Sequence, residues 1–153
     1  MTLVFLAFAG CAEPRELAGR AAVLDGDTIE VRGQRVRLWG IDAPESAQTC
    51  RDADGRIYGC GRRAAVVLAD RVEGRRVRCT PRDSDSYGRV VGTCYLGRED
   101  VAGWLVAQGW ALDYDRYSHG AYAAQQAEAR RGRRGLWQGR FEPPWDWRQA
   151  APR

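Results

Sequence analysis

The chain has no lysine: all 24 of its basic residues are arginine. Positive charge carried only on guanidinium groups suits bidentate contact with carboxylate and phosphate. A GC-rich coding sequence produces the same bias, so composition by itself does not assign a phosphate-binding surface. Histidine occurs once, at His119, which argues against Ser/His and Cys/His relays. No apolar run reaches the length of a membrane span. The cysteines lack the close two-to-four-residue spacing of zinc ligands. The net charge of +4 is modest.

What is present fits one soluble domain of 153 residues, long enough to bury a core without a partner. Residues 1–11, MTLVFLAFAGC, read as an export segment rather than as part of the fold. Their end resembles a bacterial lipoprotein signal, in which Cys11 carries the lipid. Cleavage after Ala7-Phe8-Ala9, a small-x-small triplet, is the competing reading. Either way the expected location is outside the cytoplasm: periplasmic, membrane-anchored through Cys11, or secreted. The other four cysteines, an even number, suit two disulfides in an oxidising compartment. Of the three pairings open to them, spacing favours Cys50–Cys60 and Cys79–Cys94.

Residues 12–19 show no periodicity and read as a linker. Strands are expected over 20–24, 28–32 and 35–41, with Asp25-Gly26-Asp27 and Gly33-Gln34 as turns. Alternation points Ile29, Val31, Val36 and Leu38 inward and leaves Arg37 on the opposite face. Residues 46–59 read as a loop pinned by the first bridge. Residues 60–72 carry Ala64, Ala65, Val67, Leu68 and Val72 at helical spacing and end at Gly74. A hairpin is expected from strands 75–80 and 88–96 with a loop over 81–87. Its second strand turns Cys94 towards Cys79 and places Tyr87 and Arg89 together on the other face. Helices are expected over 101–108 and, with Ser118 as N-cap, over 119–131. Residues 138–153, with Trp145 and Trp147, are expected to dock on the domain at 20–137.

The chemistry concentrates in Val23–Glu45. Asp27, Asp42 and Glu45 surround two short alternating runs, and Arg37 lies within the second. Hard oxygen donors beside a guanidinium suit a divalent cation and a phosphate bound together. Pro44 stiffens the segment between the last two acids.

Five ordered blocks carry a family resemblance: Asp25-Gly26-Asp27-Thr28; Val36-Arg37-Leu38 running into Ile41-Asp42-Ala43-Pro44-Glu45; Asp85-Ser86-Tyr87-Gly88-Arg89; Leu105-Val106 with Gly109-Trp110-Ala111; and Gly135-Leu136-Trp137. Over about residues 20–137 the chain resembles the thermonuclease, or staphylococcal-nuclease-like, family. The resemblance implies a mainly β fold, a five-stranded OB-fold barrel with about three α-helices. It also implies a monomeric, calcium-dependent endonuclease on DNA and RNA that favours single strands and leaves 3′-phosphate ends. By that resemblance Asp27, Asp42 and the backbone carbonyl of Ala43 bind Ca2+, and Glu45 is the base. Arg37 and Arg89 neutralise the phosphoryl group, and Tyr87, with Tyr114 or Tyr117, contacts substrate. Ser86 stands where the staphylococcal enzyme has a lysine. The alternative is a non-catalytic OB-fold that binds single-stranded nucleic acid or a protein partner.

Overall fold

A computed structural model of the chain describes residues 15–150. The export segment, Cys11 and its lipidation lie outside the described residues. Strands β1 (Leu17–Asp25), β2 (Thr28–Val31) and β3 (Gln34–Leu38) come first, and a turn at Trp39-Gly40 leads into β4 (Ile41–Asp42). The next loop folds on itself through the two-residue strands β5 (Cys50–Arg51) and β6 (Ile57–Tyr58), and α1 (Cys60–Val72) follows. Then come β7 (Arg76–Ser84), β8 (Val90–Leu96), β9 (Glu99–Asp100), α2 (Val101–Ala107) and β10 (Leu112–Asp113). The chain closes with α3 (Asp115–Ser118), α4 (Ala123–Arg131), a 3-10 turn at Gly135–Gln138 and α5 (Pro144–Ala150).

β1, β2, β3, β7 and β8 form a closed five-stranded barrel. β2 lies between β1 and β3, β1 pairs with β7, and β7 with β8, all antiparallel. A parallel pairing of β3 with β8 closes the ring, with Val36 opposite Val90, Arg37 opposite Val91 and Leu38 opposite Gly92. The architecture is the five-stranded OB-type barrel that the resemblance implies. Among the described residues five α-helices accompany it where about three were expected: α1 of 13 residues, α4 of 9, α2 and α5 of 7 each and α3 of 4.

The alternation places side chains as expected. Ile29, Val31, Val36 and Leu38 are fully enclosed, and α1 adds Leu68 and Val72 to the same core at i, i+4 spacing. Burial on this scale contributes about 1.5–3 kcal/mol per large aliphatic side chain. Arg37, between two core residues on β3, is turned to the other face. α2 is capped by Asp100, whose carboxylate accepts from the amides of Ala102 and Gly103. Tyr122 donates its hydroxyl to the same carboxylate at 2.8 Å.

Four expected boundaries are corrected. β1 begins at Leu17, because Leu17 and Ala18 pair with Cys79 and Arg78, so the end of the expected linker is barrel. The third strand stops at Leu38 instead of Ile41, interrupted by Gly40 at φ 76°. β7 runs through Pro81 to Ser84, where a loop was expected, because a register shift between Pro81 and Asp83 accommodates the missing amide. The expected helix 119–131 is shortened to 123–131, a separate single turn, α3, precedes it, and Ser118 does not cap it. The Ser118 hydroxyl instead donates to buried Asp113, His119 adopts φ 52°, and α4 starts at Ala123.

A second, smaller core forms around Cys50, Cys60, Leu112 and Leu136. Trp137, Phe141 and Trp145 pack against it, so the tryptophan-rich end lies on the domain. Both expected bridges are present. Cys50–Cys60 lies inside this second core, and Cys79–Cys94 joins residues directly opposed on β7 and β8. Replacing Cys79 and Cys94 together with alanine should lower unfolding free energy by about 2–4 kcal/mol in urea denaturation. An unchanged midpoint and slope would show that the bridge does not hold the barrel.

Candidate active site

One face of the barrel opens into a cleft of about 1050 Å³. Every site residue expected from the sequence lines it: Asp27, Arg37, Asp42, Ala43, Glu45, Tyr87, Arg89, Tyr114 and Tyr117. The β3–β8 pairing brings the first arginine and the second to one wall. The β4–β10 pairing, with Asp42 opposite Leu112, brings the tyrosine segment to the other.

The acids sit at the bottom. Asp27 is nearly buried; its Oδ1 accepts from the Thr28 hydroxyl at 3.2 Å and its Oδ2 from the Ala43 amide at 3.1 Å. Asp42 is fully buried. Arg37 spans both carboxylates, with Nη2 at 3.3 Å from Asp42 and 3.6 Å from Asp27, and Nη1 donates to the Ile41 carbonyl. Arg37 therefore belongs to the site, held against the acids by charge on both.

Burial raises the Asp42 carboxyl above its ordinary value, with the charge of Asp27 adding to the effect, although Arg148 and Arg37 pull the other way. Asp25 is pushed up to about 6, first by burial and then by Asp27. Burial is thus the leading cause at both carboxyls. The donor chemistry of the cluster fits a hard cation: two buried carboxylates, with backbone oxygens close by on the Asp42–Pro44 segment. Among the described residues no three carboxylate, histidine or cysteine side chains converge on one point. Asp27 and Asp42 are the two buried carboxylates that could face a cation there.

Arg89 is held from two sides. Its Nε donates to Asp85 at 2.7 Å, its Nη1 to the Thr28 hydroxyl at 3.1 Å, and its guanidinium lies 5.5 Å from the centre of the Tyr87 ring. Asp85 also accepts from the amides of Tyr87 and Arg89, closing the turn that presents both side chains. These donations from Arg89 outweigh the upward effect of burial and hold the Asp85 carboxyl below its ordinary value. Tyr87 is largely exposed, as is Tyr117. Tyr114 meets Tyr117 edge-on and is stacked flat on Trp145, with centroids 5.1 Å apart.

Three contributors were not legible in the sequence. Gln48, a fully buried polar side chain, accepts from the Glu45 amide at 3.2 Å and donates to the Glu142 carbonyl at 2.8 Å, tying the acidic segment to the C-terminal tail. Asp85 was part of a recognised block, yet its role as the anchor of Arg89 shows only in the fold. Arg148, on α5, reaches across to the acids: Nη1 lies 2.7 Å from Glu45 and 3.0 Å from Asp42 Oδ1, and Nη2 lies 2.8 Å from Asp42 Oδ2. The only sequence signal for it was the tryptophan content of the tail.

The model of the staphylococcal nuclease homologue family matches residues 35–139, which include Arg37, Asp42, Glu45 and Arg89 and begin after Asp27. The chain is 43% identical over 136 residues to the succinoglycan biosynthesis protein ExoI of Rhizobium meliloti, covering 88% of this chain and 70% of that protein. It is 36% identical over 141 residues to an uncharacterized endonuclease of Escherichia coli, covering 87% and 86% of the two chains. A micrococcal nuclease of Shigella flexneri is 36% identical over 146 residues, covering 84% of this chain and 78% of that one.

Glu45 is positioned through its backbone as well as its side chain. A Cβ at Gly61, in the first turn of α1, would lie 1.6 Å from the Glu45 carbonyl oxygen, so that contact exists only because the residue is glycine. Gly61→Ala should cost at least about 1–3 kcal/mol of stability by displacing the acidic segment. A melting temperature equal to that of the unaltered protein would contradict this account of the contact.

Proposed function

Because the chain belongs to the staphylococcal nuclease homologue family, we propose that it is a calcium-dependent endonuclease, exported from the cytoplasm, that hydrolyses DNA and RNA and leaves 3′-phosphate ends. The observation that carries the reading is the meeting of Asp27, Asp42, Glu45, Arg37 and Arg89 on one cleft. Asp27 and Asp42, with the Ala43 carbonyl, would hold Ca2+, which when bound would supply positive charge to a phosphodiester and acidify water.

Glu45 orients a water and accepts its proton as the oxygen attacks phosphorus. Arg37 and Arg89 donate to the non-bridging phosphoryl oxygens and to the departing 5′-oxygen, where charge accumulates in the transition state. Both guanidiniums are fixed beforehand, Arg37 by two aspartates and Arg89 by Asp85 and Thr28, so little reorganisation is needed when substrate arrives. Tyr87, Tyr114 and Tyr117 offer ring faces and hydroxyls for bases and sugars, which favours single strands over duplex. The two disulfides support an oxidising destination, and a lipid at Cys11 or simple signal cleavage are the two ways to reach it. A monomeric form is part of the same reading.

Glu45→Gln keeps the size of the side chain and removes its basicity. It should lower kcat on single-stranded DNA by about 10²–10⁴-fold with folding unchanged, measured by fluorescent-oligonucleotide cleavage alongside circular dichroism. Turnover equal to the unaltered protein would remove Glu45 from the mechanism. Loss of cleavage in every variant and in the unaltered protein, with oligonucleotide binding retained, would identify a non-catalytic OB-fold binding module.

A further inference from the structure

The C-terminal helix delivers a third arginine to the two groups on which the proposed chemistry depends. Arg148 forms a fork on both oxygens of Asp42 and shares one arm with Glu45. Asp42 Oδ1 then accepts from two arginines, Arg37 and Arg148, and Oδ2 accepts from the second arm of Arg148. Both oxygens of the most buried acid in the site are thereby committed to guanidinium groups. A divalent ion bound to Asp42 would share that carboxylate with a fixed like charge, and the two cations repel at such range. Glu45, with Oε1 in a 2.7 Å ion pair, has one of its oxygens withheld from water.

Release of this contact is local. The Arg148 side chain is 37% exposed, so it can swing into solvent and be rehydrated, whereas Asp42 at 1% cannot follow it. The helix that carries it is anchored independently, through Trp145 stacked on Tyr114, buried Pro144, and the bond from Gln48 to Glu142 at the start of the tail.

We propose that Arg148 is an internal cation that competes with the metal for Asp42 and holds Glu45 inactive until it is displaced, so that the docked C-terminal helix sets the metal affinity of the site. This rests on the reading of Asp27 and Asp42 as metal ligands. Arg148 neutralises a cluster in which, among the described residues, Asp27 and Asp42 otherwise form ion pairs only with Arg37, and Glu45 is paired with Arg148 itself. Metal entry expels the guanidinium, frees both Asp42 and Glu45, and couples activation to cation concentration. A surplus positive side chain above the cleft is then available to the phosphate backbone of the substrate.

Calcium binding measured by isothermal titration calorimetry, without substrate, tests this in the full-length unaltered protein and in Arg148→Ala, Arg148→Lys and Asp27→Asn. Arg148→Ala should bind calcium about tenfold more tightly or better, the scale of one charge-assisted hydrogen bond removed from competition. Arg148→Lys, which keeps the charge and loses the fork, should fall between the two. Asp27→Asn should lose most of the binding. If Arg148→Ala binds calcium no more tightly than the unaltered protein while Asp27→Asn is defective, the competition is overturned and the metal site stands. If Asp27→Asn binds like the unaltered protein, or no variant binds calcium, the metal-site reading itself is overturned. Circular dichroism of Arg148→Ala and Arg148→Lys separates a change in affinity from a change in fold.

Discussion

The parallel pairing of β3 with β8 is the constraint on which the rest of the molecule depends. It closes the barrel, and it sets Arg37 beside Val91, two residues along the chain from Arg89. Without closure those arginines belong to unrelated hairpins about fifty residues apart. Parallel neighbours need a long crossover, and here α1 and β7 supply it while also filling the core and bridging to β8 through Cys79–Cys94. The same ring buries Val36 and Leu38 on either side of Arg37. A residue of that charge can then face only the cleft, where Asp27 and Asp42 receive it.

A second dependency runs through the smaller core. Cys50–Cys60 draws the loop after Glu45 onto the start of α1, where the missing side chain of Gly61 leaves room for the Glu45 carbonyl to pack closer than any Cβ would allow. Leu136, Trp137, Phe141 and Trp145 cover that bridge. Gln48 joins the two layers by pairing with the backbone of Glu45 on one side and of Glu142 on the other. The tail is thus mechanically continuous with the acidic segment. Its last described helix carries Arg148 onto Asp42 and Glu45, so packing of the second core places that guanidinium in the cleft.

Much of this was legible in the sequence, for identifiable reasons. Strand alternation gave the faces of Ile29, Val31, Val36, Leu38 and Arg37, because the side-chain period of a strand is fixed at two. Ordered motif blocks named Asp27, Asp42, Glu45 and Arg89, and the barrel brings them to one cleft. The errors lie where local signals are overridden by distant contacts. Ser118 has the composition of a helix cap, but buried Asp113 takes its hydroxyl. Pro81 suggests a loop, yet β8 holds its segment in the sheet around a bulge. Arg148 and Gln48 had no periodic or motif signature at all. Their roles arise from how the tail lies on the barrel, a long-range fit between the second core and residues that periodicity does not relate.

The cleft gathers buried acids, pre-ordered arginines and the exposed rings of Tyr87 and Tyr117, a combination that suits metal-assisted attack on a phosphodiester. The most direct test is cleavage of an end-labelled single-stranded oligonucleotide by the purified, disulfide-intact protein in calcium and in excess chelator. The account predicts internal cleavage products bearing 3′-phosphates in calcium and intact substrate in chelator. Cleavage that proceeds equally with chelator present, or no cleavage in calcium by folded protein that binds the oligonucleotide, would contradict it.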